Sequence, residues 1–168
     1  MRILLQTLQY IHEEGVVHRD LKPENLILGS KENDFDLKLA DFGLATRVAP
    51  EELLSLRCGS PGYVSPELLS NHGYNAKADI FSAGVILYVL LTGRPAFPGS
   101  TCAEVLSKNK RCELLFASKH WDKVSPEGMD ITKCLLAKDP KERLSARQAL
   151  QHPWFANEID SQELAGVP

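Results

Sequence analysis

Apolar residues recur along this chain in two registers, a helical one and a set of runs short enough to be strands. Between Met1 and Glu14, Leu4, Leu8 and Ile11 share one helical face with Leu5 beside them, and Gly15 supplies a stop. Leu26-Ile27-Leu28 and Leu37-Lys38-Leu39-Ala40 are short apolar segments separated by the polar residues Ser30 to Asp36. That pattern predicts a hairpin, and closing it brings Asn25 and Asp41 to the same end. Residues 44 to 65 carry no strong period and predict a long loop, which in itself suggests a functional element. From Asp79 to Leu91 the chain is apolar on nearly every side, the pattern of a helix buried all round. Ser125-Pro126-Glu127 opens another helix, and Ser145-Ala146-Arg147-Gln148 has capping-box spacing before a helix that Pro153 ends. Trp154 and Phe155 are expected to pack as a terminal plug, with residues 156 to 168 as a tail. The expected fold is mainly α with a small β-hairpin.

At 168 residues, 43% hydrophobic and a formal charge of −3, the chain has the makings of one soluble globular unit with a sizeable core. No basic cluster points to nucleic acid, and no apolar run approaches the roughly 18 residues of a membrane span. Met1-Arg2-Ile3-Leu4-Leu5 has the look of a signal start, but Gln6, Thr7 and Gln9 interrupt it and no small-residue cleavage site follows, so it reads as a helix. Cys58, Cys102, Cys112 and Cys134 lack paired short spacing, which favours reduced thiols and a cytoplasmic setting over disulfides or a zinc site. Cys58 reads as a small part-buried side chain ahead of a redox-sensitive one.

The densest chemistry lies in His18-Arg19-Asp20-Leu21-Lys22-Pro23-Glu24-Asn25, followed by Asp41-Phe42-Gly43. Gly59-Ser60-Pro61-Gly62-Tyr63-Val64-Ser65-Pro66-Glu67 comes next, then Asp79-Ile80-Phe81-Ser82-Ala83-Gly84, then Arg143. Taken singly, each is weak: loop aspartates such as Asp20 and Asp41 are most often turn caps, and Asp-Phe-Gly most often marks a turn. In this order, across most of the chain, they resemble the motifs of the protein kinase family, H-R-D-L-x-x-x-N, D-F-G, A-P-E and D-x-W-x-x-G. Ser65 replaces the alanine and Phe81 the tryptophan.

The resemblance implies a protein-kinase-like fold, specifically its C-terminal, large lobe, with residues 1–155 as a partial kinase domain. It implies ATP and Mg²⁺ as cofactors and protein Ser/Thr hydroxyls as acceptors, Lys22 in K-P-E-N arguing for serine/threonine over tyrosine. Asp20 would take the hydroxyl proton and Lys22 would face the transferring phosphate. Asn25 and Asp41 would hold Mg²⁺, which accepts such hard oxygen ligands, and Ile27 would lie beneath the adenine ring unless it is simple core. By the same resemblance His18 packs on Phe42, Asp79 accepts hydrogen bonds from the catalytic-loop backbone, Arg143 pairs with Glu67, and Ser60 touches Asp20 and Lys22.

Arg19 beside Asp20 is the arginine that an activation-loop phosphate neutralises in many kinases, yet the usual acceptor position holds Leu56. Ser55 with a shifted loop, Glu51 or Glu52 in place of a phosphate, or absence of the switch all remain open. Tyr10-Ile11-His12, the insertion Ser30 to Asp36 and the run Gly84 to Gly93 resemble the calcium/calmodulin-dependent group, although nothing after Phe155 resembles a calmodulin-binding helix. Glu24 suggests attraction for an arginine near the acceptor.

No G-x-G-x-x-G run occurs in the 168 residues, and no strand lysine and helix glutamate pair precedes the catalytic loop. The expectation is therefore one lobe of two, inactive without an N-terminal lobe or kinase partner and exposing apolar surface where that lobe would sit. The alternative is a non-catalytic docking or decoy module. The intact Asp20, Lys22, Asn25 and Asp41, which docking does not require, favour the first.

Overall fold

A computed structural model describes residues 1–29, 36–49 and 51–156. Helix α1 (Arg2–Glu13) buries Leu4, Leu5, Leu8 and Ile11, as their spacing requires. Each fully buried leucine of this set contributes about 1.5–3 kcal/mol. The helix stops where Gly15 turns left-handed, at φ 70°. Strands β1 (Val16–Val17), β2 (Leu26–Leu28), β3 (Leu37–Leu39) and β4 (Thr46–Arg47) follow.

Strands β2 and β3 pair antiparallel, with Leu26 opposite Leu39 and Leu28 opposite Leu37. Backbone bonds continue the ladder at both ends, Gly29 N–H to Asp36 O at 2.7 Å and Ala40 N–H to Asn25 O at 2.9 Å. The hairpin is the expected one, and it sets Asn25 beside the residue preceding Asp41. The insertion over residues 30–35 and the tail from residue 157 lie outside the described residues.

Residues 44 to 65 are less irregular than their pattern predicts. Thr46 and Arg47 form β4 against β1, and Leu54 makes a bridge with Tyr74. A two-residue strand shows no period, so only its distant partner reveals it.

Helices α2 (Pro66–Leu69), α3 (Lys77–Thr92), α4 (Cys102–Arg111), α5 (Pro126–Leu135) and α6 (Ala146–Leu150) complete the architecture. Every residue of α3 from Ala78 to Tyr88 is buried, which is why its sequence shows no polar face, but the expected burial does not reach the end of the helix: Leu90 is 68% exposed. Gly84 lets α3 approach α5: a Cβ there would lie 2.9 Å from Leu135 and Leu136. Ser125 caps α5, and Ser145 with Gln148 forms a complete capping box on α6. Helix α4, capped by Thr101, is mostly polar and was not evident from periodicity.

One apolar cluster joins α1, α3, α5 and α6 to Phe155, and a second gathers Phe81, Tyr88, Phe97 and Trp121. Phe155 is buried under the Arg2 guanidinium, 4.9 Å from its ring, and packs on Trp154 as a plug. The four cysteines are free, and no helix among the described residues is long and apolar enough to cross a membrane.

Candidate active site

The loop between β1 and the 3₁₀ turn Pro23–Asn25 is held by one buried carboxylate on α3. Asp79 Oδ1 accepts the Arg19 N–H at 2.9 Å, and Oδ2 accepts the His18 N–H at 2.8 Å while lying 2.9 Å from His12 Nε2. A carboxylate 1% exposed within an apolar helix would be costly without partners; here each oxygen has them. These bonds hold Arg19 at φ 71°, a left-handed conformation costing a non-glycine residue on the order of 1–3 kcal/mol. His18 is fully buried, donating from Nε2 to the Ala40 carbonyl at 3.0 Å and meeting Phe42 edge-on at 4.9 Å. It is a spacer between the loop and the Asp-Phe-Gly turn, so its imidazole is committed to packing.

That scaffold presents Asp20, 8% exposed, to two donors. Lys22 Nζ lies 2.7 Å from Oδ2, the Ser60 hydroxyl donates to Oδ1 at 2.8 Å, and Lys22 also donates to Ser60 Oγ at 3.1 Å. Burial pushes the Asp20 carboxyl up, but the hydrogen bonds from Lys22 and Ser60 outweigh it and hold it below the usual carboxylate range. The same bond, donated to Asp20, raises Lys22 against a smaller opposing effect of burial. Both groups are thus ionised at neutral pH. Ser60 reaches Asp20 because Gly59, at φ 104°, lets the segment pass close to the loop: a Cβ there would lie 2.8 Å from Arg19 O.

Asn25 is buried and donates from Nδ2 to the Asp20 carbonyl at 2.8 Å. Asp41 is solvent-exposed at φ 59°, its Oδ1 accepting the Gly43 N–H at 3.2 Å. Ile27 and Leu28 are each 52% exposed, and Phe42 and Leu44 also carry apolar surface in the open. Arg19 donates from Nε to the Leu44 carbonyl at 2.6 Å, and the Leu56 carbonyl accepts from the Tyr74 hydroxyl at 2.7 Å. The segment bearing Ser60 is tied down at its far end, where Glu67 receives Arg143 in a bidentate pair at 2.8 and 3.0 Å.

Another set of side chains has metal-ligand types: Asp130, Cys134 and His152 place their ligand atoms within 4.8 Å of one another. His152 Nδ1 accepts the Trp154 N–H at 3.2 Å, so its proton sits on Nε2, 3.1 Å from Asp130 Oδ2. In this structure the trio forms a capped turn with a histidine–aspartate hydrogen bond.

The family model for the protein kinase domain matches residues 1–155. The chain belongs to the protein kinase family. Similar proteins include the probable serine/threonine-protein kinase 2 of Plasmodium falciparum, 45% identical over 155 residues covering 92% of this chain and 30% of that protein. Mouse calcium/calmodulin-dependent protein kinase type IV is 43% identical over 152 residues, 90% of this chain and 32% of its own length. Myosin light chain kinase A of Dictyostelium discoideum is 41% identical over 152 residues, 90% of this chain and 52% of its own. The chain thus spans between 30% and 52% of the length of these relatives.

Within this kinase fold, two contributors went unread in the sequence. His12, on the last turn of α1, supports Asp79; its one visible signal was a polar residue next to the buried Ile11. Asn109, fully buried on α4, donates to the Val64 carbonyl at 2.8 Å and anchors the segment after Ser60. Nothing local marks it among the polar residues of α4.

Proposed function

We propose that this chain is the C-terminal lobe of a serine/threonine protein kinase domain, residues 1–155 with a tail over 156–168, acting in the cytoplasm. In the assembled domain it would transfer the γ-phosphate of ATP to serine or threonine hydroxyls of proteins. The observation that carries the reading is the ionised Asp20 held by Lys22 and Ser60 at 2.7 and 2.8 Å. A hydroxyl approaching Asp20 is oriented by its carboxylate, which takes the proton, and Lys22 sets positive charge beside the oxygen receiving the phosphoryl group. In a loose transition state there is little covalent work to do, so orientation counts for more than the proton affinity of Asp20.

The donor set suits Mg²⁺. Asn25 is turned by its Nδ2 bond to the Asp20 carbonyl, which leaves Oδ1 as its ligating end, and Asp41 offers an exposed carboxylate across the hairpin end. The bound ion would neutralise phosphate charge. The open aliphatic surface of Ile27 and Leu28 suits the flat underside of a purine and the contact of an N-terminal lobe.

Losing one preorganised charge-stabilising donor costs about 10²–10³ in rate, so the chain without a phosphate-covering loop is expected to transfer phosphate negligibly. The test compares Mg²⁺-dependent ATP binding and phosphorylation of a basic serine peptide by the 168-residue chain with those by the chain fused to a kinase N-terminal lobe. Transfer by the fusion alone, abolished by Asp20→Asn and Asp41→Asn, is the expected result. A fusion that binds ATP yet transfers equally well with Asp20→Asn overturns the assignment. Protein binding without any nucleotide dependence would favour a docking module.

A further inference from the structure

A cavity of about 410 Å³ opens between α1, residues 48–49 and 51–53, the start of α3 and the start of α6. Its size falls within the range of small-molecule sites, about 300–1,000 Å³. Asp20, Lys22, Ser60, Asn25 and Asp41 take no part in its lining. Ile80 and Ala146, 1% and 3% exposed, give it an apolar floor.

The charges on its walls do not balance. Glu13 is neutralised by Arg147 at 2.6 Å, and Lys77, whose ammonium donates to the neutral Arg143 carbonyl, keeps its charge and offsets only one further carboxylate. Glu52, an exposed residue of the lining, accepts the Ala49 N–H at 2.9 Å, and no cation pairs with it among the described residues. Glu51, held at φ 65°, makes no ion pair or side-chain hydrogen bond among them either. An apolar floor beneath two unpaired carboxylates, of which Lys77 offsets one, leaves a net negative wall and favours one ligand chemistry, an apolar body carrying a cation.

The geometry points to a second ligand site, for a compact apolar cation of the arylalkylammonium class, which acts on the catalytic loop through His12. His12 lines the cavity and its Nε2 lies 2.9 Å from Asp79 Oδ2, the oxygen that also accepts the His18 N–H at 2.8 Å. An occupant packed on this imidazole bears directly on the carboxylate that positions His18 and Arg19. The inference is independent of whether the chain transfers phosphate.

Phenethylammonium is the probe, with 3-phenylpropionate as its anionic counterpart, each titrated into the ¹⁵N-labelled chain. The amine should give saturable amide shifts at Ile80 and Ala146, with His18 and Arg19 moving along the same curve and the anion binding more weakly. The double substitution Glu51→Gln and Glu52→Gln should weaken the amine about three- to tenfold, as expected for two partly exposed carboxylates. Ala49→Trp, at an exposed lining position that leaves the floor intact, should block the mouth and abolish the shifts. Absence of saturation, equal binding of the anion, or shifts persisting in Ala49→Trp would overturn the site. Saturation confined to the walls, with His18 and Arg19 unmoved, would overturn the coupling.

Discussion

Replacing Arg143 by methionine keeps much of the side-chain volume but removes a guanidinium with no exposed surface that serves as partner to a buried carboxylate. The Glu67 carboxylate is left with neither of its two bonds from Arg143, at 2.8 and 3.0 Å. The carbonyls of Lys77, Ala137 and Lys138 lose the same donor, and the face of Phe81 loses a cation 5.0 Å from its centroid. Breaking a buried pair from one side costs about 3–5 kcal/mol, because the surviving charge stays desolvated and unpaired. That is a large share of the roughly 5–15 kcal/mol by which a domain is stable. For a chain of this size each kcal/mol moves Tm by about 2–4 °C, so calorimetry should record a fall of about 6–20 °C. Replacing both partners, Arg143→Met with Glu67→Leu, leaves no buried charge and should recover part of the loss. The reasoning is refuted if Arg143→Met melts within a degree or two of the parent, or if the two substitutions add without coupling in a denaturant double-mutant cycle.

Three further outcomes follow from the same contacts. Asp79→Asn puts an amide where two oxygens accept the His18 and Arg19 N–H groups, so amide exchange at those positions should accelerate about 10- to 100-fold, as read by NMR; unchanged protection would mean that the loop is held some other way. The midpoint of Asp20 lies below the ordinary carboxylate value of about 3.9 because the bonds from Lys22 and Ser60 outweigh burial, so its contribution to stability is complete above that value and fades as pH falls through the lowered midpoint. Ser60→Ala should move the Asp20 midpoint upward in a carbon-13 titration of the side chain, and an unmoved midpoint would remove Ser60 from the account. Gly84→Ala drives a methyl group to 2.9 Å from Leu135 and Leu136, which should cost about 1–3 kcal/mol in urea unfolding; a neutral result would show that α3 and α5 separate freely.

Much of this architecture was legible where a residue's role is settled by its neighbours in the chain. The stripe of α1, the burial of α3 as far as Tyr88, the caps of α5 and α6 and the β2–β3 hairpin are local patterns that stand where the pattern placed them, whereas Leu90, expected within the buried helix, is 68% exposed. Helix α4 was hidden because it is short and largely polar, its buried residue being the polar Asn109, and β4 because two residues have no period.

The sequence by itself determined which chemical groups this chain brings to a site: carboxylates, an amide and a lysine at spacings carried by one loop and one hairpin. Tertiary structure decided which of them meet. Ser60 lies 40 positions from Asp20, Asp79 lies 61 from His18 and Arg143 lies 76 from Glu67. A hydrogen bond across such an interval exists only once the core has closed and the entropy of the intervening chain has been overcome, so no local pattern reports it. The cavity beside His12 has the same origin, since its walls come from four segments that only the packed fold brings together.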